Sequence, residues 1–267
     1  MLKTEQRNPK TTHIDTMSTE EMVKVIADEN IVAVTAVQKA APAIAKAVDA
    51  ITQAMEQGGR LFFIGAGTSG RLGIMDAAEC PPTFGVPHGL INGIIAGGEG
   101  SVFRAQENKE DCEADGWKDL EAHDLGKNDA VVGISCAGGA AYVIGALRKA
   151  RSVGALTIAL TCNEDTPIEK ESDITILTDT GAEVITGSTR MKAGTAHKMV
   201  LNLLTTCTMV KQGKVYENMM INLRPTNEKL IRRMTHIVCD ILHCTPEEAK
   251  ARLERNDWVI RAAIKND

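Results

Sequence analysis

Aromatic residues are scarce in this 267-residue sequence: two Trp, two Tyr and four Phe, 3% of the chain. That leaves few platforms for stacking single-stranded bases. Basic charge does not dominate either. The formal net charge is −5 and the sequence pI about 5.8, which argues against broad nucleic-acid binding through a Lys/Arg-rich face. No apolar run approaches the ~20 residues needed to span a bilayer. Met1 to Thr12 lack the apolar centre of a secretory signal, so the chain reads as soluble and cytoplasmic. The seven cysteines stand singly at Cys80, Cys112, Cys136, Cys162, Cys207, Cys239 and Cys244. With no Cys-x-x-Cys and no His-Glu-x-x-His, disulfide and zinc readings are disfavoured, and the thiols read as small buried hydrophobes in a reducing compartment. No metal is expected.

What is present is apolar residues at 43%, enough for a large core in one α/β domain with a small appendage. Residues 1–18 read as a loose arm. Ser18, followed by Thr19-Glu20-Glu21, has the chemistry of a helix start. Val32 to Gln57 has helical composition closed by Gly58-Gly59, with Pro42 expected to divide it into two helices. Short apolar runs then alternate with helical segments: Leu61–Ile64, Leu90–Ala96, Ala130–Ile134, Ala155–Leu160 and Ile174–Leu177. Five short buried strands separated by helices imply a parallel sheet covered on both faces, a three-layer α/β/α domain. The helical segments between them include Arg71–Glu79, Ser101–Glu121 and Ala140–Arg151, and a long apolar helix is expected over Ala193–Val210. The expected division is 1–224 as the α/β domain and 225–267 as a small C-terminal helical appendage.

In such a sheet, ligands bind outside the carboxyl ends of the strands, where loops meet helix N-termini. Three loops qualify. Gly65-Ala66-Gly67-Thr68-Ser69-Gly70 has the dinucleotide spacing Gly-x-Gly-x-x-Gly. The acid that should end the next strand and hold a ribose is missing, since Glu99 follows two glycines and comes late. Gly67, Thr68, Ser69 and Gly70 instead offer hydroxyls beside backbone donors, which suits a sugar or phosphate. Ser135-Cys136-Ala137-Gly138-Gly139-Ala140 repeats the device after another strand, with Ser135 and the amides of Gly138 and Gly139 as an anion cradle. Gly181 to Lys192 gathers Glu183, Ser188, Arg190 and Lys192 before the long apolar helix; Arg190 and Lys192 either clamp a phosphate or lie on a solvated surface.

Gly181-Ala-Glu-Val-Ile-Thr-Gly-Ser-Thr-Arg-Met-Lys-Ala-Gly-Thr-Ala-His-Lys198 resembles the signature shared by N-acetylmuramic acid 6-phosphate etherases and glucokinase regulatory proteins. Gly65 to Phe84, with Gly-Thr-Ser-Gly-Arg-Leu-Gly and Ala-Glu-Cys-Pro-Pro-Thr-Phe, is similar to the etherase pattern almost throughout. Ile95–Glu99 and Thr226–Leu230 fit it too, so the likeness runs from about residue 13 onward. The resemblance implies a sugar isomerase (SIS) fold and cleavage of the lactyl ether to N-acetylglucosamine 6-phosphate and D-lactate. It further implies a cytoplasmic homodimer, no redox cofactor, and a tail from which some residues are missing. It places the acid on Glu79 and the second catalytic glutamate on Glu110.

Position alone favours a capping or surface residue over an acid at Glu79, and it is the family resemblance that reverses the order. At the end of a helix that Pro81-Pro82 should stop, the helix dipole and burial would favour its protonated form. Glu110 lies in the acid-rich run Glu107–Glu113, expected to be a solvated helical face. One departure stands out. Where etherases usually carry Ser-Gly-Arg-Thr-Pro, the Ser and Thr holding the phosphate, this sequence has Ala137-Gly138-Gly139-Ala140-Ala141. Rival readings are a non-catalytic sugar-phosphate sensor of the glucokinase-regulator type, which resembles two such domains in tandem, and an aldose–ketose isomerase of the same fold. A dinucleotide oxidoreductase ranks last for want of the ribose-binding acid.

Overall fold

In the computed structural model, which describes residues 1–265, the chain divides into two compact units. The first comprises residues 1–78 and 89–205, the second residues 79–88 and those from 206 onward.

The first unit is built on five parallel strands: β1 (Leu61–Gly65), β2 (Ile91–Ile95), β3 (Ala130–Ile134), β4 (Leu156–Thr161) and β5 (Ile174–Leu177). Their order is β2-β1-β3-β4-β5, with all pairs parallel, as the alternating apolar runs required. Every residue of β1 and β3 is buried, the mark of a strand covered on both faces. The helices in chain order are α1 (Thr19–Glu56), α2 (Gly67–Phe84), α3 (Gly100–Phe103), α4 (Glu113–Glu121), α5 (Ala141–Ser152), α6 (Pro167–Lys170) and α7 (Lys192–Lys211). On one face Phe62, Ile64, Val131 and Ala159 meet Tyr142, Val143 and Leu147 of α5 and Leu120 of α4. On the other, α1 packs against β3, β4 and β5.

Two expectations about proline are corrected. α1 runs unbroken for 38 residues through Pro42. Pro42 and Gln38, whose carbonyl loses its helical donor, are both exposed, so water can serve that carbonyl. α2 likewise runs through Pro81 and Pro82 to Phe84. A proline φ suits the helix, and the two donors are lost only in its final turn. The run Ser101–Glu121 is not one helix: residues 104–112 are irregular between α3 and α4, with Asn108 in the left-handed region at φ 62°. The α1 start is as expected, Ser18 and Glu21 forming a reciprocal capping box with bonds of 3.3 and 2.8 Å.

The N-terminal arm is not loose. Three short 3-10 turns (Lys3–Glu5, Pro9–Thr11 and Ile14–Thr16) bury Thr4, Asn8 and Thr11. The Asn163 side-chain amide donates to Thr4 Oγ1 (3.0 Å), and the Thr11 hydroxyl donates to the Val184 carbonyl (2.8 Å). Buried polar groups of this kind are held because each has a partner.

The second unit holds a short antiparallel hairpin, β6 (Val215–Tyr216) with β7 (Met219–Met220), and helices α8 (Glu228–Leu242), α9 (Pro246–Arg255) and α10 (Ile260–Ala263). The hairpin gives no strand-length signal in the sequence. Ile221, Leu223, Met234, Val238, Ala249, Leu253 and Ile260 form its core. Thr245, Pro246 and Glu248 start α9 as their residue types require.

Candidate functional site

The strand order reverses between β1 and β3: from β1 the chain moves outward to β2, and from β3 it moves the other way to β4 and β5. At such a switch point the loops leaving the two strands diverge and leave a crevice at their carboxyl ends. A cavity of about 310 Å3 lies there, in the range of small-molecule sites. Its wall is made by Ala66, Gly67, Thr68 and Ser69 after β1, by Ile134, Ser135, Cys136, Ala137 and Ala140 after β3, and by Glu5, Glu110, Gly187 and Thr189. A smaller cavity of about 140 Å3 shares Ala66, Gly67 and Glu110 and brings in Arg71, Ser101 and Lys109.

The first loop does what its sequence suggested. Gly67 opens α2, so its amide and that of Thr68 have no helical acceptor and form the positive end of the dipole, while the Ser69 and Gly70 amides donate to the Ala66 carbonyl at 3.1 and 3.4 Å. Thr68 and Ser69 add hydroxyls to the same wall. Gly70 does not line the cavity; a Cβ there would stand 2.5 Å from the Gly65 carbonyl and 2.6 Å from Ile95, so it lets α2 approach the sheet. In the second loop the Ser135 hydroxyl accepts from the Gly138 amide at 3.1 Å, which turns the chain toward α5. Gly138 has φ +73°, and a Cβ would lie 2.3 Å from the Thr166 side chain. Gly138 and Gly139 are outside the cavity wall, whereas Ala137 and Ala140, whose side chains are only methyls, are part of it. These are the positions at which the family resemblance leads one to expect hydroxyls.

The third loop divides between site and scaffold. Gly187 and Thr189 line the cavity, but Ser188 forms a turn in which its carbonyl accepts from Met191, and Arg190 is exposed away from the wall. Glu183 is fully buried and accepts from the amides of Lys192 (3.2 Å) and Ala193 (2.9 Å), capping α7. Burial raises its carboxyl pKa, and those two amide bonds oppose the rise. The Lys192 ammonium is 2% exposed and donates to Glu29 Oε2 and to the Ala182 carbonyl, both at 2.6 Å. Its charge is committed to Glu29, so a phosphate clamp from this lysine is not what the geometry provides. Glu29 is buried, which pushes its pKa up. Hydrogen bonds from Lys10, Lys192 and Asn8 outweigh that and hold it down at about 2.

Of the two glutamates, Glu110 stands on the wall of both cavities. Its carbonyl accepts from the Tyr142 amide at 2.9 Å, which fixes the irregular segment against the start of α5. Glu110 is exposed as expected, but the helical face is corrected to a pinned loop. Glu79 belongs to the second unit, lies in the body of α2 and is exposed, so the helix-end position and burial expected for it are not found. Sequence reasoning missed Glu5 and Thr189 as lining residues. Thr189 was legible within its loop; nothing in the composition of the arm singled out Glu5.

The parallel sheet and the switch-point cavity define the class, a SIS domain. Residues 113–207 match the SIS domain pattern and residues 43–151 that of the glucokinase regulatory protein N-terminal SIS domain. Among solved structures, a phosphoheptose isomerase from Francisella tularensis superposes at a TM-score of 0.57, with 20% identity over 73% of this chain and all of that one. A putative phosphosugar isomerase involved in capsule formation from Bacteroides fragilis gives 0.55, with 23% identity over 74% of this chain and 94% of that one. At these identities the likeness speaks for the fold. Curated relatives go further. A Clostridium beijerinckii protein named N-acetylmuramic acid 6-phosphate etherase is 50% identical over 263 residues, 98% of this chain and 86% of that protein. One of the same name from Salmonella typhimurium is 48% identical over 98% of this chain and 89% of its own length. The chain belongs to the N-acetylmuramic acid 6-phosphate etherase family.

Proposed function

We propose that this protein cleaves the D-lactyl ether of N-acetylmuramic acid 6-phosphate, giving N-acetylglucosamine 6-phosphate and D-lactate. The observation that carries the reading is half-identity to a curated etherase over 98% of the chain. The cavity agrees with it: Glu110, Thr68, Ser69 and Ser135 line one space of suitable size.

The chemistry follows from the ring-opened sugar. Its C2 proton lies beside the aldehyde and is acidic, and the lactyl oxygen on C3 is β to that carbonyl. A base takes the C2 proton, the C3–O bond breaks with its electron pair going to the lactate oxygen, and an acid protonates that oxygen. Water then adds at C3 of the unsaturated aldehyde. The route needs one carboxyl that gives a proton and one that accepts it. The family resemblance gives Glu79 the acid role and Glu110 the role of base or water activator; of the two, Glu110 is the one on the cavity wall. The phosphate is held by the amides and hydroxyls at the start of α2, with Ser135 opposite. Arg71 and Lys109 on the adjoining cavity supply positive charge for an anionic end of the substrate. The protein acts in the cytoplasm as a homodimer, without a redox cofactor.

One observation favours a second reading. Ala137 and Ala140 place methyls where the family resemblance implies phosphate-binding hydroxyls, as in a sensor that binds sugar phosphates without turning them over. Incubation with N-acetylmuramic acid 6-phosphate separates the two: D-lactate release, lost in Glu110→Gln and Glu79→Gln, supports the etherase. Binding of the sugar phosphate with no lactate supports the sensor.

A further inference from the structure

Three residues far apart in sequence converge beneath the cavity. Cys136 follows β3, Cys162 follows β4, and His197 lies in the second turn of α7. The Cys162 amide donates to the Cys136 carbonyl at 3.0 Å, so the two cysteines stand side by side on adjacent strand ends. Cys136 Sγ lies 3.6 Å from His197 Nδ1, and Cys162 Sγ lies 3.3 Å from His197 Nε2. One ligand atom from each residue falls within 4.8 Å of the other two. Around a tetrahedral zinc, bond lengths of about 2.3 Å to sulfur and about 2.0 Å to nitrogen put ligand atoms about 3.6–3.8 Å apart. One ion takes only one imidazole nitrogen, so the thiol now beside the other nitrogen must shift; with one ligand atom from each residue already within 4.8 Å of the others, that closure is about an ångström along the widest edge.

The surroundings decide what kind of ion suits it. Cys162 and His197 are fully buried, while Cys136 is half-buried and forms part of the cavity wall beside Ser69 and Ser135. The Thr178 hydroxyl stands 3.4 Å from Cys162 Sγ and holds that side chain from behind. Two thiols and one imidazole are soft ligands, which select Zn2+ over Mg2+ or Ca2+. Three protein ligands leave a fourth position, and the only one of the three that reaches the cavity is Cys136. We propose that Cys136, Cys162 and His197 form a binding site for Zn2+, whose open fourth position is turned to the cavity and filled there by water or by an oxygen of the bound solute. Binding displaces the thiol protons to solvent, and neither sulfur changes oxidation state. The trio escapes sequence inspection because its members are spaced by 26 and 35 residues and form no short motif.

Cobalt(II) tests the site directly, since it takes zinc's geometry and reports thiolate ligation by colour. Chelator-treated protein, kept reduced with a phosphine, is titrated with Co2+ and the cobalt then displaced by Zn2+. The expected result is one equivalent of Co2+ with intense near-ultraviolet sulfur-to-cobalt absorption and visible bands of a four-coordinate ion. That signal should be lost, or its affinity weakened about 100-fold or more, in each of Cys136→Ala, Cys162→Ala and His197→Gln. Circular dichroism identifies any variant that has failed to fold, and the three substitutions remove the signal independently. A Cys239→Ala/Cys244→Ala double variant controls for the cysteine pair of the second unit and should retain the full signal. Absence of sulfur-to-cobalt absorption in the folded wild type would overturn the proposal. So would an unchanged signal in folded Cys136→Ala, Cys162→Ala or His197→Gln, or its loss in the Cys239/Cys244 control.

Discussion

Replacing Glu29 by glutamine tests whether Lys192 serves the scaffold or the ligand. The Lys192 ammonium is 2% exposed and the Glu29 carboxylate 4%, their closest atoms 2.6 Å apart. Glu29→Gln leaves the ammonium buried against the Ala182 carbonyl, its hydrogen-bonded counter-charge gone and only the charge of Glu183 acting on it from further off. Stranding one partner of a buried pair costs about 3–5 kcal/mol, because the desolvated charge keeps its penalty and loses its compensation. For a chain of this size that lowers Tm by about 6–20 °C. Lys192→Met should cost less, since Glu29 keeps Lys10 at 2.8 Å and Asn8 at 2.7 Å. The double variant should be more stable than the two single losses added together, because it strands neither charge. Thermal melts of the four proteins, read by circular dichroism, give the cycle. If Lys192 instead clamped a phosphate, Lys192→Met would raise KM at unchanged Tm and Glu29→Gln would do little. A Tm for Glu29→Gln within about 2 °C of wild type would refute the reasoning.

Further outcomes can be checked alongside. Glu29 titrates at about 2 when folded against a usual 4.5. Its contribution of about 3 kcal/mol is thus complete above pH ~4.5 and lost as pH falls toward 2. Urea unfolding across that window should decline with acid in the wild type and decline less in Glu29→Gln. Gly138→Ala must place a methyl 2.3 Å from Thr166 at a φ of +73°, which should destabilise by about 2–4 kcal/mol in chemical denaturation; a neutral result would mean the loop relaxes freely. Ala137→Ser and Ala140→Thr should each lower KM for the sugar phosphate about tenfold or more if a charge-assisted hydrogen bond forms. An unchanged KM in both would mean that the phosphate is held elsewhere.

The parallel sheet was legible because each strand is a short apolar run ended by glycine, serine or threonine, and burial on both faces demands that composition. Two ligand loops were legible for the same reason, since a hydroxyl beside a helix N-terminus is written in consecutive residues. What escaped depended on partners distant in the chain. Lys192 looks like a phosphate ligand until Glu29, 163 residues away, is seen against it. The arm looks loose until Asn163 and Val184 supply partners for Thr4 and Thr11. Proline was over-read twice: Pro42 is exposed and Pro81 and Pro82 fall in the last turn of α2, places where a lost donor is tolerated. Glu110 gave no local signal, and its place on the cavity comes from the bond of its carbonyl to the Tyr142 amide.

The most direct test of the proposed reaction is to run it in water enriched in oxygen-18 and weigh both products. Elimination followed by water addition breaks the bond between C3 and the ether oxygen. A labelled oxygen is therefore expected at C3 of N-acetylglucosamine 6-phosphate, read from fragments that exclude the exchangeable C1 oxygen, with D-lactate whose ether-derived oxygen is unlabelled. Label in the lactate hydroxyl, or no lactate from folded protein, would contradict that route.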